Sequence, residues 1–137
     1  MKLLKIEADF EIRVRYAHTD KMGVVYNSNY LDFFEIGRTE LLRSFGLPYS
    51  EVEDKGFLLP LIDAYVKYQN PAKYDDILRI NTKFELRTGA KIRFDYNIFC
   101  QDKLICQGYT SHIFVLSSNL KPIRPPKFFV EHLQNLN

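Results

Sequence analysis

The sequence predicts an α+β fold: one long amphipathic helix against an antiparallel sheet of about five strands. Three observations carry this. Residues 10–16 alternate apolar and polar, residues 28–45 repeat every three or four positions, and strand-like runs follow one another from Leu58 onward. Strands in series pair antiparallel, because parallel neighbours need a crossover between them.

The first strand puts Phe10, Ile12, Val14 and Tyr16 on one face and Glu11, Arg13 and Arg15 on the other. Residues 17–27 break the alternation and read as a loop. Tyr30, Phe33, Phe34, Gly37, Leu41 and Phe45 then recur at helical spacing. That predicts a helix from Ser28 to Phe45 of about five turns. Asn27 or Ser28 has the side-chain oxygen to cap its start. Gly46 can take the left-handed conformation that ends it. Gly37 costs roughly 1 kcal/mol against Ala in a helix interior, which predicts a close backbone approach on that face. Residues 50–53 suggest a short helical turn. Strands are expected over 58–69, 77–88, 91–99 and 104–116, with turns at Thr88-Gly89-Ala90 and near Asp102-Lys103. A proline-marked exit and a short helix or tail from Phe128 complete the chain. Lys83, Glu85, Arg87, Lys91, Arg93 and Asp95 make one sheet face wet. The open sheet edges favour edge-to-edge pairing in a homodimer.

With 137 residues, 46% of them hydrophobic and 15% aromatic, the chain suits one domain over 1–137 with a real core. A net charge of +2, with Lys and Arg scattered, leaves no nucleic-acid footprint. No apolar run approaches the ~18–20 residues of a membrane span. Met1–Glu7 is too short and too charged for a signal peptide. The expectation is a cytoplasmic protein. Cys100 and Cys106 flank the second turn without facing each other, and read as free buried thiols. Glu35 and Arg38 are placed for a helix-surface ion pair. His112 and His132 lack partners at metal-ligand spacing, so no metal is expected.

The candidates for chemistry concentrate at residues 16–30, where a polar loop carrying His18, Thr19 and Asp20 runs into the start of the helix. A helix start presents free N–H groups and partial positive charge, suited to an oxyanion. A carboxylate beside it can attack an activated acyl carbon or activate water. Asp20 can equally be a turn aspartate, and His18 a loop histidine. Lys91 and Arg93 share a strand face and are candidates for holding phosphates.

The pattern Tyr16-x3-Asp20-x2-Gly23-x2-Tyr26-x2-Asn29-Tyr30, with Phe34-Glu35 and Arg38-Thr39-Glu40 after it, resembles the signature of 4-hydroxybenzoyl-CoA thioesterase-like hotdog proteins. It looks closest to the short-chain acyl-CoA thioesterases encoded beside the Tol-Pal system. Residues 68–76 and 87–92 resemble that family's linker and central hairpin. The resemblance implies a hotdog fold, a long central helix wrapped by a curved sheet. It implies hydrolysis of an acyl-CoA in a homodimer or tetramer, with acyl-carrier protein as a possible partner. CoA enters as part of the substrate, and no cofactor is implied. Asp20 matches the nucleophile or general base, and the backbone N–H at Tyr26 matches the oxyanion donor. Tyr16 matches a site-lining residue; Gly23, Asn27 and Asn29 fall in the same motif as substrate-binding positions. Relatives often carry histidine where this chain has Asn27, leaving His18 as the nearby imidazole. A hotdog dehydratase needs such a histidine with an acid, which weighs against that reading. A non-catalytic module binding acyl-CoA or acyl-carrier protein is the alternative.

Overall fold

The computed structural model describes residues 4–86 and 89–136. Arg87 and Thr88 of the expected third strand and its turn, and Met1–Leu3, lie outside the described residues. The elements are β1 (Leu4–Arg13), a 3-10 turn (Tyr16–His18), α1 (Asn29–Ser44), α2 (Tyr49–Asp54), β2 (Phe57–Leu58), β3 (Leu61–Tyr68), β4 (Ile77–Leu86), β5 (Lys91–Cys100), β6 (Lys103–Leu116), β7 (Pro122–Ile123) and α3 (Lys127–Gln134). All pairings are antiparallel. The sheet has seven strands rather than about five, because β2 and β7 are two-residue additions to the 14-residue β6. The order runs β1-β4-β5-β6, and β3 also pairs with β6.

β1 starts earlier than expected and ends earlier. The alternation extends back through Ala8 to the buried Ile6. At Val14 the chain leaves the ladder, its N–H donating to the Asp76 carbonyl and its own carbonyl accepting from Asp75. Val14 still points into the core, but Tyr16 is turned outward and is 77% exposed. The predicted inward face therefore fails at both ends, since Phe10 is exposed as well.

α1 has 16 residues, a little over four turns, and so is shorter than the long helix expected. It buries Tyr30, Phe33, Phe34, Gly37, Leu41 and Leu42 against the sheet. Phe34 stacks on Tyr96 of β5, with centroids 4.1 Å apart. A Cβ at Gly37 would lie 2.8 Å from Ile80 Cγ2 and closer still to Thr82 Oγ1. Glycine thus lets α1 settle onto β4, where the packing offsets its poor helix propensity. Gly46 ends the helix at φ +85°, and Leu47 N–H reaches back to the Leu42 carbonyl at 2.8 Å. His132 of α3 adds a contact from Nε2 to the Phe45 carbonyl at 2.7 Å.

Two local expectations are corrected. Neither Asn27 nor Ser28 makes a side-chain cap; Ser28 already has helical angles. The second hairpin turns at Gln101-Asp102, with Cys100 opposite Lys103 and Cys106 opposite Ile98. Gln101 takes φ +56° there. The cysteines remain unpaired; Cys106 is buried and Cys100 half-buried. No described helix is long and apolar enough to cross a membrane.

Candidate active site

Asp20 sits at the base of a tight hairpin. Its N–H donates to the Val24 carbonyl and its carbonyl accepts from Gly23 N–H, each at 3.0 Å. Gly23 takes φ +81°, the left-handed position that closes a three-residue turn. Asp20 Oδ1 accepts from the backbone N–H of Met22 at 2.8 Å and of Val24 at 3.4 Å. Oδ2 has no protein partner among the described residues. The aspartate is a turn residue through one oxygen and unengaged through the other. The hairpin docks on the 72–73 segment, Val25 N–H donating to the Ala72 carbonyl at 2.8 Å.

Among the described residues His18 makes no hydrogen bond to Asp20. Its Nδ1 accepts from Arg15 N–H at 2.9 Å, so the neutral ring carries its proton on Nε2. The ring stands edge-on to Phe33 at 5.1 Å. Burial and the Arg15 charge both lower its pKa. In this position His18 braces the 3-10 turn.

The helix start changes the oxyanion assignment. Tyr26 N–H donates to the His18 carbonyl at 2.9 Å and is therefore already engaged. Asn29 Nδ2 donates to the same carbonyl at 2.8 Å, tying the loop to the first helical turn. The backbone N–H groups of Asn27 and Ser28 have no acceptor among the described residues. They are the free donors at the positive end of α1. The Asn27 side chain is exposed and unpaired among the described residues, while its carbonyl accepts from Tyr68 Oη at 3.3 Å.

Tyr16 packs on Tyr74 at 4.9 Å, and its carbonyl accepts from the Thr19 hydroxyl at 2.8 Å. Tyr68 packs on Tyr30 at 5.5 Å. Tyr68 and Tyr74 thus border the site, although the sequence marked residues 68–76 only as a linker. Two tyrosines flanking Pro71 were the available signal. The site's upper side is open in one chain: Tyr16, Tyr26, Tyr68 and Tyr74 are all exposed.

Lys91 and Arg93 do not join this site within one chain. The Asp20 hairpin docks beside the start of β4, whereas Lys91 lies beyond Phe94, the partner of Phe84 near the end of β4. Lys91 pairs with Asp63 at 3.6 Å, and Arg93 with Asp95 at 2.9 Å. Arg93 also lies over the Tyr109 ring at 3.9 Å.

A second polar feature lies under α1. His112 is buried, with Nδ1 at 3.3 Å from the Leu59 carbonyl. A carbonyl only accepts, so Nδ1 carries the proton and Nε2 accepts from the Thr110 hydroxyl at 2.8 Å. That hydroxyl accepts from Tyr96 Oη at 2.6 Å. Burial, then the nearby Arg38 charge, push the His112 pKa down to about 4. Above this chain lies a cavity of about 270 Å³ lined by Glu35, Arg38, Leu42, Tyr49, Leu59 and Phe94. The expected Glu35–Arg38 ion pair does not form. Among the described residues, no three His, Cys, Asp or Glu side chains converge as metal ligands.

Residues 14–133 match the model of the thioesterase-like superfamily. The Bacillus subtilis protein YneP is 40% identical over 120 residues, which are 87% of each chain. The acyl-CoA thioesterase YbgC of Haemophilus influenzae is 31% identical over 119 residues, covering 86% of this chain and 88% of that one. Among solved structures, a DHNA-CoA thioesterase from Staphylococcus aureus superposes with a TM-score of 0.88 at 31% identity, covering 96% of this chain and 91% of that one.

Proposed function

The chain belongs to the thioesterase-like superfamily, and from that premise we propose that it hydrolyses an acyl-CoA through Asp20 and the N–H groups that open α1. It is an enzyme of the acyl-CoA thioester hydrolase type. The observation that carries the residue assignment is the divided use of Asp20: Oδ1 is held by two backbone N–H groups and Oδ2 is left unengaged. A carboxylate fixed through one oxygen is oriented without being neutralised by a cation.

In the reaction, Asp20 attacks the thioester carbonyl carbon or removes a proton from the water that does. The carbonyl oxygen gains negative charge as the tetrahedral intermediate forms. Asn27 N–H, with Ser28 N–H beside it, donates to that oxygen, and the α1 dipole adds to the stabilisation. The C–S bond then breaks and CoA leaves as a thiolate, which needs no strong general acid. By direct attack, water hydrolyses the resulting anhydride; by the water route, the free acid forms at once.

The catalytic unit is a homodimer. β3 is exposed on both faces, with Leu61, Ile62, Tyr65 and Tyr68 outward, and its far edge pairs with no other strand among the described residues. A second copy along that edge continues the sheet and covers the open side of the site. Acyl-carrier protein, which presents its acyl group on the same kind of thiol, is the alternative donor.

The test is thiol release from an acyl-CoA panel by wild type and Asp20→Asn. Asparagine keeps an Oδ1 acceptor for Met22 and Val24, so the hairpin survives. Turnover should fall by roughly 10²–10⁴. Full activity in the variant would remove Asp20 from the mechanism.

A further inference from the structure

We propose that the groove between α1 and β3 receives the acyl group and that Arg38 binds a carboxylate at its far end. The preferred substrate is then the CoA thioester of a dicarboxylic acid. This rests on the hydrolytic reading of Asp20 and the α1 start.

α1 and β3 run in opposite directions, and their ends come together in two places. At one end Tyr68 Oη, closing β3, meets the Asn27 carbonyl beside the free N–H groups. At the other end Leu59, just ahead of β3, shares the cavity with Arg38 and Leu42. Leu31, Glu35, Arg38 and Leu42 fall at helical spacing along one side of α1, so one stripe links the two ends. Nine residues separate Asn29 from Arg38, roughly 14 Å along the axis. Less the reach of the arginine side chain, that suits an acyl chain of medium length. At about 270 Å³ the cavity has room for the terminal group of an acyl chain.

Arg38 is half-buried, and no carboxylate lies within ion-pair distance of it among the described residues. Arg79, equally half-buried, and the exposed Arg13 and Arg93 each hold one. A partly desolvated guanidinium without an anion is the unusual case, since it offers donors only and calls for an acceptor. Its position is held from below. The Tyr96 proton goes to Thr110, so the Tyr96 oxygen is free to accept from Arg38, which lies beside it. Glu35, on the same stripe, is exposed and also unpaired among the described residues. It opposes an anionic tip, which makes the two side chains separable by mutation.

The test measures kcat/KM for octanoyl-CoA and for its ω-carboxylated counterpart of equal chain length. Wild type should favour the carboxylated substrate by roughly ten-fold, the worth of one charge-assisted hydrogen bond. In Arg38→Met the ratio should fall to near one. In Glu35→Gln it should rise about two-fold, a shift that loss of packing does not produce. A wild-type ratio at or below one overturns the proposal. So does an Arg38→Met enzyme in which both substrates lose activity equally and the ratio persists. Asp20→Asn run on the same pair tests the catalytic reading separately, because its failure shows as retained turnover on both substrates whatever the ratio.

Discussion

The Asn29 side-chain amide donates to the His18 carbonyl at 2.8 Å, and so joins the first turn of α1 to the loop that carries Asp20. Tyr26 N–H shares that acceptor. The carbonyl is the hinge between the carboxylate and the free N–H groups, so it sets their mutual position. Asn29→Leu should lower stability by about 1–2 kcal/mol. Its kcat/KM should fall further than stability alone predicts, because small displacements of reacting groups are costly. Urea unfolding and steady-state kinetics on one preparation test both parts. Unchanged kinetics in a destabilised variant would limit Asn29 to a structural role.

Gly37 and Thr82 form a matched contact where α1 meets β4. Gly37→Ala should destabilise by about 1–3 kcal/mol through overpacking, although alanine is the better helix former. The Thr82 hydroxyl is buried without a hydrogen-bond partner. Thr82→Val should therefore be neutral or stabilising by about 1 kcal/mol. Denaturant midpoints of the two variants should move in opposite directions or leave only Gly37→Ala shifted.

His112 makes stability depend on pH. Its folded pKa, about 4, lies below the 6.5 of a free histidine. The unfolded chain thus binds the extra proton first as pH falls, and the stabilisation present above pH 6.5 is lost between about 6.5 and 4. The full effect is on the order of 3 kcal/mol. His112→Gln should flatten most of this slope in urea titrations between pH 7 and 5. His18, whose pKa is also lowered, retains a share. An unchanged slope would show that other groups set it.

The free edge of β3 is the element to test for assembly. Ile62→Lys places a charge on that edge. Sedimentation should show a shift from dimer toward monomer, and hydrolysis should fall with it. A wild-type protein that sediments as a monomer at micromolar concentration would remove the dimer from the proposed function.

Much of this was legible in the sequence because it depended on local periodicity. The apolar stripe from Tyr30 to Leu41 implies a helix with a buried face in almost any fold. Gly37 predicted a close neighbour, and Gly46 marked the helix end. The Asp20 loop was singled out by its resemblance to a family signature, and the fold joins it to the α1 start through the His18 carbonyl. Where a residue's role depended on a remote partner, the reading failed. Tyr16 continues the alternation of β1, yet Asp75 and Asp76 take the backbone bonds at Val14 and the chain turns away. Tyr26 N–H looked free until folding brought the His18 carbonyl to it. Lys91 and Arg93 shared a strand face with no indication that β4 would hold them away from Asp20. Spacing decides which side chains share a face. Only the packed fold decides which donors are already bonded, and that left Asn27 N–H, Ser28 N–H and Asp20 Oδ2 without partners among the described residues.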